Sequence, residues 1–272
     1  MKTENNLKIP LLSEKTAGGH YPEYLLWIGC AGAFDDRYKK VIRSFITILN
    51  RARIDFAVLG PEESCTGDPA RRAGNEFLFQ IQALSNIQLL NGYKVKKILT
   101  ACPHCYNTFK NEYPALGGHY EVFHHSELIE ALINSDQLGS NINQTLAKKK
   151  ITYHDSCYLG RSNQIYESPR SIIKSLKSEL VEMTRHKANG LCCGAGGAQM
   201  FKDAEKGNKE IYTERTEEAL NTNAEIIATA CPFCLTMLSD GVKNLGHEND
   251  LKVYDIVELI DQATKIEKYG ST

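Results

Sequence analysis

The chain has 272 residues, which suits one large domain or two of about 130 residues. Its 42% hydrophobic and 24% charged content is ordinary for a globular protein, and a formal net charge of −1 gives no electrostatic ground for a nucleic-acid partner. Apolar runs such as LLWIGCAGAF fall well short of the roughly 20 residues that span a membrane, and residues 1–22 read as a polar tail without the apolar core of a signal peptide. The expectation is therefore a cytoplasmic protein, at most peripheral to a membrane complex.

From residue 23 onwards, apolar runs alternate with helical periods. YLLWI reads as a strand, packed through Tyr24 and Trp27, and DRYKKVIRSFITILNRA sets Val41, Ile42, Phe45, Ile48 and Leu49 at helical spacing. DFAVL is a strand; PARRAGNEFLFQIQALSNIQLLN reads as one long helix that Gly92 ends. KKILTA is a strand, a short helix follows CPHC, and HYEVF and SELIEALI close a first unit over 23–135. The polar stretch 134–150, NSDQLGSNINQTLAKKK, reads as a linker. A second unit over 151–266 reads alike: ITYHD, SPRSIIKSLKS, ELVEM, a helix opened by LCCGAGG, AEIIATA, LKVYD and IVELIDQAT. This alternation predicts an α/β fold of two tandem Rossmann-like half-domains with parallel sheets, related by a pseudo-twofold.

Nine cysteines carry the same repeat. Cys30 to Cys65 and Cys157 to Cys192 are each 35 positions apart, and Cys102-Pro-His-Cys105 answers Cys231-Pro-Phe-Cys234. The offsets between halves are 127, 127 and 129 positions. Thiols that were only small core residues would scatter, and an odd count in a reducing compartment argues against a disulfide framework. The strand-and-helix reading puts each cysteine after a strand or in a strand-to-helix loop. Open α/β sheets bind ligands at that edge, so the spacing fits one metal site per half.

The adjacent pair Cys192-Cys193 is informative. Neighbouring thiolates make a strained disulfide and repel unless a cation neutralises them, which a metal centre does. The second half offers five thiols, Cys157, Cys192, Cys193, Cys231 and Cys234, one more than a single zinc or a cubane cluster takes. Gly194, Gly196 and Gly197 then allow positive φ and bring backbone N–H groups close to sulfur. The first half has Thr66 where the second has Cys193, leaving Cys30, Cys65, Cys102 and Cys105, a set that suits tetrahedral zinc or a conventional cluster.

The pattern C-x34-CCG-x36-CPFC resembles the cysteine-rich CCG domain, in two tandem copies from Tyr24 to about residue 263. That domain occurs in the B and D subunits of heterodisulfide reductase. It also occurs in iron–sulfur subunits of glycolate, lactate and anaerobic glycerol-3-phosphate oxidoreductases and in electron-transfer-flavoprotein-linked quinone reductases. The resemblance implies a non-cubane [4Fe–4S] cluster on the five second-half thiols, and zinc or a second iron–sulfur cluster on the four first-half thiols. It further implies an electron-transfer subunit that takes electrons from a separate ferredoxin-type or flavoprotein subunit. These would pass towards a quinone or disulfide acceptor, in a membrane quinone-reductase complex for example. A catalytic disulfide reductase and a zinc-stabilised interaction protein are the alternatives. His154 stands where the family often has YHDPC, as a tuning or proton-carrying group or as a hydrogen-bonded histidine at a strand end.

Other signals are weaker. CTGDPARRAGNEFLF resembles the subgroup similar to the D subunits and to flavoprotein-linked quinone reductases. Its Arg71 and Arg72, near an expected helix start, either face an anionic group or partner or are solvated beside Asp68 and Glu76. C-P-x-C also fits a thiol–disulfide enzyme, but that leaves five cysteines idle. GAGGAQ lacks the last glycine of a dinucleotide fingerprint, and His124-His125 reads as surface or packing. No C-x2-C-x2-C-x3-C run is present, so a ferredoxin-type donor would be a separate module.

Overall fold

In the computed structural model, residues 7–138, 142–203 and 207–264 are described. Residues 1–6 of the expected tail, 139–141 of the expected linker and 265–266 of the expected second unit lie outside them.

The first half runs α1 (Leu12–Ala17), β1 (Tyr24–Trp27), α2 (Gly29–Phe34), α3 (Asp36–Arg51), β2 (Phe56–Ala57), α4 (Asp68–Arg72), α5 (Glu76–Gly92), β3 (Lys97–Thr100), α6 (Pro103–Asn107), β4 (Glu121–His124) and α7 (His125–Asn134). The second runs β5 (Lys150–Tyr153), α8 (Glu167–Ser175), β6 (Glu179–Leu180), α9 (Ile211–Leu220), β7 (Ile226–Thr229), α10 (Pro232–Asn244), β8 (Lys252–Asp255) and α11 (Ile256–Thr264). The sheets have the matched orders β2-β1-β3-β4 and β6-β5-β7-β8, and every pairing is parallel. The fold is thus α/β with two tandem half-domains. No helix of the described residues is long and apolar enough to cross a membrane.

Covered parallel strands are buried on both faces and mostly apolar, as in ILT of β3 and IIAT of β7. The same burial makes α3 a core helix: Val41, Ile42, Phe45, Ile48 and Leu49 are all buried, and the Asp35 carboxylate accepts the Tyr38 N–H (2.6 Å) to start it. Phe45 of α3, Ile129 of α7, Ile173 of α8 and Ile260 of α11 belong to one core that spans both halves. Ion pairs stitch its rim, with Arg37 on Glu258 (2.7 and 2.8 Å) and Arg51 on Asp261 (2.9 Å). The N-terminal stretch docks on the first sheet through buried Leu12, whose N–H donates to Val58 O (2.8 Å).

Three local expectations need correction. The long helix is two: Gly74 takes φ +88° and Asn75 accepts the Leu78 N–H (3.0 Å), capping a new start, so α4 and α5 are separate. Gly92 stays helical, and the left-handed residue after the helix is Lys94 (φ 56°). LCCGAGG opens no α-helix; it turns into a single 3₁₀ turn at Gln199–Phe201, and α9 starts only at Ile211. Of the two readings of His124 and His125, packing holds: both are fully buried, and the His125 Nε2 hydrogen-bonds Asp255 of the other half (2.8 Å). Tyr24 and Trp27 do pack, edge-on against Phe123 and Phe109 at 5.7 and 4.8 Å.

Candidate metal centre

Parallel strands bring their carboxyl ends to one edge of each sheet. In the first half Cys30 sits in α2 just past β1, Cys65 in the loop after β2, and Cys102 and Cys105 at the start of α6. In the second, Cys157 follows β5, Cys192 and Cys193 lie in the loop after β6, and Cys231 and Cys234 start α10. All nine are free thiols.

The first-half set converges. All four thiols line one small cavity with buried Thr66. The neighbouring Cys30 thiol draws the Cys65 thiol down to about 6 against its burial, helped by the Gly67 N–H (3.4 Å). Glu63 anchors the same region, accepting the Ile28 and Gly29 N–H groups (3.0 and 2.6 Å) where α2 begins.

In the second half Cys192 raises the Cys157 thiol, and Cys193 and Cys231 raise the Cys234 thiol. Cys234 Sγ lies 3.3 Å from Cys193 Sγ, far beyond a disulfide bond. Hydrogen bonds from Cys157 and Cys193 hold Cys192 far below the usual thiol range, with the Gly194 N–H adding a third at 3.3 Å. Such thiolate character is what a metal ligand needs.

The glycines now have a reason. Gly67 (φ +88°) and Gly194 (φ +89°) each aim an N–H at the sulfur two residues before. A Cβ at these positions would meet Phe79 Cδ2 at 2.9 Å and Ile211 Cβ at 3.3 Å. Gly197 also has positive φ (+67°), whereas Gly196 does not.

His154 completes the set. Among the described residues, its ring and the Cys193 and Cys234 thiols form the one compact group of donor atoms, all within 4.8 Å of one another. Arg215 Nε donates to His154 Nδ1 (3.0 Å), which fixes the hydrogen on Nε2, and Nε2 has no partner. Burial, and then the Arg215 charge, push this imidazole down to about 3, so it is a neutral donor. A sulfur-rich anionic group fits this surround: five thiols, an unpartnered buried N–H, and the buried Arg215 guanidinium behind it.

Arg71 and Arg72 stand in the last turn of α4, not near a helix start, where positive charge suits the dipole. Arg72 Nε pairs with Asp68 (3.0 Å), and both arginines pair with Glu112. Sequence reasoning missed Arg215, which the string TERTEE presents as one more charge on a solvated helix. It also missed His104, although CPHC displays it. A cleft of about 280 Å³ opens beside Cys30 between the halves, lined by Phe34, Tyr38, Met200, Phe201 and Phe233.

A model of the cysteine-rich domain called CCG matches residues 24–110 and again residues 151–239. The chain belongs to the CCG cysteine-rich domain family. Each CCG copy takes in three of the four strands of one sheet, and together the two copies carry all nine thiols. The chain is similar to "Probable iron-sulfur-binding oxidoreductase FadF" of Bacillus subtilis, with 46% identity over 94% of the chain and 36% of that protein. It is similar to "EtfAB:quinone oxidoreductase" of Syntrophomonas wolfei, with 45% identity over 89% of the chain and 34% of that protein. The D-type component of the dihydromethanophenazine:CoB--CoM heterodisulfide reductase of Methanosarcina barkeri is 34% identical over 89% of the chain and 59% of its own length. The chain thus spans about a third of the first two relatives and under two thirds of the third.

Proposed function

We propose that this chain is the iron–sulfur electron-transfer subunit of a multi-subunit oxidoreductase. It takes electrons from a flavin or ferredoxin-type partner and passes them towards a quinone or disulfide acceptor. The observation that carries this reading is the five free second-half thiols at one sheet edge, with Cys193 and Cys234 in contact beside the unpartnered His154 N–H. The names of the relatives, iron–sulfur-binding and quinone-linked oxidoreductases among them, point the same way.

On this reading Cys157, Cys192, Cys193, Cys231 and Cys234 hold a [4Fe–4S] cluster, of the non-cubane kind because five thiols are offered. When bound, the cluster supplies reversible one-electron storage. The protein does the rest. Cys231 sits at the N-cap of α10, where the helix dipole favours thiolate; Gly194 N–H and His154 Nε2 offer hydrogen to sulfur, and Arg215 fixes the imidazole. Cys30, Cys65, Cys102 and Cys105 hold zinc or a second iron–sulfur cluster. The protein works in the cytoplasm, peripheral to a membrane quinone-reductase complex.

The cleft beside Cys30 favours a second reading, a catalytic disulfide reductase, since an apolar disulfide would fit its aromatic walls. Thr66 weighs against it, because the halves no longer match. The experiment mixes anaerobically prepared protein with a dithionite-reduced flavoprotein or ferredoxin donor under stopped flow. Bleaching of the donor with reduction of the chain's visible absorption supports the relay. Turnover of small disulfides would transfer support to the reductase, and no electron uptake from either donor would refute the relay.

A further inference from the structure

The repeat brings two strand ends together, and a histidine bridges them. FHHSEL, where β4 runs into α7, answers YDIVEL, where β8 runs into α11, so His124 and Asp255 are counterparts. The glutamate three residues on accepts the backbone N–H of each: Glu127 for His124 (2.9 Å) and Glu258 for Asp255 (3.0 Å). Each also lies in register with the threonine two residues before a C-P-x-C, His124 beside Thr100 and Asp255 beside Thr229.

An unbroken line of hydrogen bonds runs from the first turn of α8 to Asp255. Ser168 Oγ donates to Ser126 Oγ (3.1 Å), which lies 2.8 Å from His124 Nδ1. His124 Nε2 lies 3.1 Å from His125 Nδ1, and His125 Nε2 lies 2.8 Å from Asp255 Oδ1. The Ser126 N–H also points at His124 Nδ1 (3.4 Å), so that nitrogen accepts and the hydrogen sits on Nε2. Every donor in the line then points from α8 towards Asp255. Ser126, His124, His125 and Asp255 are wholly buried, while Ser168 keeps 6% exposure next to exposed Glu167. Helix capping needs only the bond from the Val257 N–H to Asp255 Oδ1 (3.0 Å), and Asp255 Oδ2 has no partner.

Burial keeps both imidazoles neutral, His125 down to about 3 and His124 well below the usual histidine value, and pushes the Asp255 carboxyl well above the usual carboxylate range. Glu127 and the Tyr106 ring (6.1 Å) face His124. Tyr38, Tyr153, Cys231 and the Arg37–Glu258 pair surround Asp255. Arg37 is the one cation among these, and Glu258 already holds it.

We propose that this line conducts protons, and that Asp255 takes up one from solvent when an electron enters the second-half centre. The inference rests on the cluster reading above. The electron comes from the flavin or ferredoxin-type donor, the proton from water at the α8 end. His125 gives its Nε2 hydrogen to Asp255 and gains one at Nδ1 from His124. Ser126 refills His124 at Nδ1, Ser168 refills Ser126, and solvent refills Ser168. The carboxylate becomes a neutral carboxyl, and no relay group is left charged. Negative charge added at the centre raises the proton affinity of Asp255, because little water intervenes to screen it. Between the Asp255 values of the oxidised and reduced protein, uptake accompanies reduction, so the potential falls as pH rises.

The test compares the wild type with Asp255→Asn, which keeps the cap but cannot take up the proton, and with Ser126→Ala, which removes one relay hydroxyl. Each is prepared without oxygen and its iron content measured. Midpoint potentials are read by electron paramagnetic resonance between about pH 6 and pH 9, and proton uptake on reduction by a pH indicator under stopped flow. The expected results are a wild-type potential that falls with pH, a flat profile in Asp255→Asn, and slowed uptake in Ser126→Ala at wild-type potentials. A pH-independent wild-type potential overturns the proposal, as does an unchanged profile in Asp255→Asn with iron retained. If Asp255→Asn loses iron, Ser126→Ala decides, and uptake at the wild-type rate overturns the proposal. A wild-type chain without iron overturns the cluster reading, and this inference with it.

Discussion

Arg170→Leu isolates the contribution of one buried ion pair beneath the second-half site. Arg170 is 2% exposed and forks onto two carboxylates: Asp155 at 2.8 and 2.8 Å, and Glu182 at 2.6 and 2.9 Å. With the arginine gone, the Glu182 side chain, 29% exposed, is resolvated, but that of Asp155, 3% exposed, is not. Stranding one partner of a buried pair costs about 3–5 kcal/mol, and Asp155 keeps one bond from the Lys187 N–H (2.6 Å), which places this case near the lower end, about 3 kcal/mol. For a chain of this size that lowers the unfolding midpoint by about 6–12 °C. The sign of the pH dependence follows from Asp155. Burial opposes its charge, yet Arg170 holds it below the usual carboxylate range. Its contribution is present above the unfolded value of about 3.9 and is lost as pH falls through the lower folded value. In the variant, burial outweighs the remaining Lys187 N–H bond and raises the folded value, so acid stabilises it relative to the unfolded chain. The gap between the two proteins is therefore widest near pH 7 and shrinks towards pH 4. Calorimetry across that range reads it; a gap under about 1 kcal/mol at pH 7, or one that grows on acidification, refutes the reasoning.

Phe45→Ala empties a fully buried position in the core shared by both halves; it costs about 3–5 kcal/mol and lowers the stability of both halves in one transition, seen by calorimetry as a single shifted peak. Gly194→Ala forces a Cβ into positive φ against Ile211 and costs about 1–2 kcal/mol, read from denaturant midpoints, where an unchanged midpoint would contradict the turn assignment. Cys193→Ser removes the sulfur that contacts Cys234, and the expected outcome is loss of second-half iron by metal analysis while the first-half metal stays. Thr66→Cys restores a second thiol to the buried first-half position; iron per chain should rise in anaerobic preparations, and unchanged iron would show that Thr66 does not limit that site.

The fold was legible because the central strands are short, buried and mostly apolar, and because α3 keeps its apolar residues at helical spacing. Cysteine spacing located the convergence, since in a parallel sheet each strand end fixes where the next loop begins. What was hidden depended on non-local partners. The string PARRAGNEF carries enough helix formers to mask a break that Gly74 and Asn75 make by conformation and capping. The turn after Cys193 looks like a helix start only until Gly194 is seen turning its N–H back onto the Cys192 sulfur. Arg215 and Arg170 look like solvated charges until a carboxylate or imidazole from elsewhere in the chain covers them. His104 could be read only in the folded molecule, because the Tyr158 and Phe233 rings it packs against lie in the other half.

The most direct measurement is iron, acid-labile sulfide and zinc per chain in protein purified without oxygen. The account predicts about four irons with matching sulfide, accompanied by about one zinc, or about eight irons without zinc if the first half also carries a cluster. Zinc alone, with neither iron nor sulfide, would contradict it.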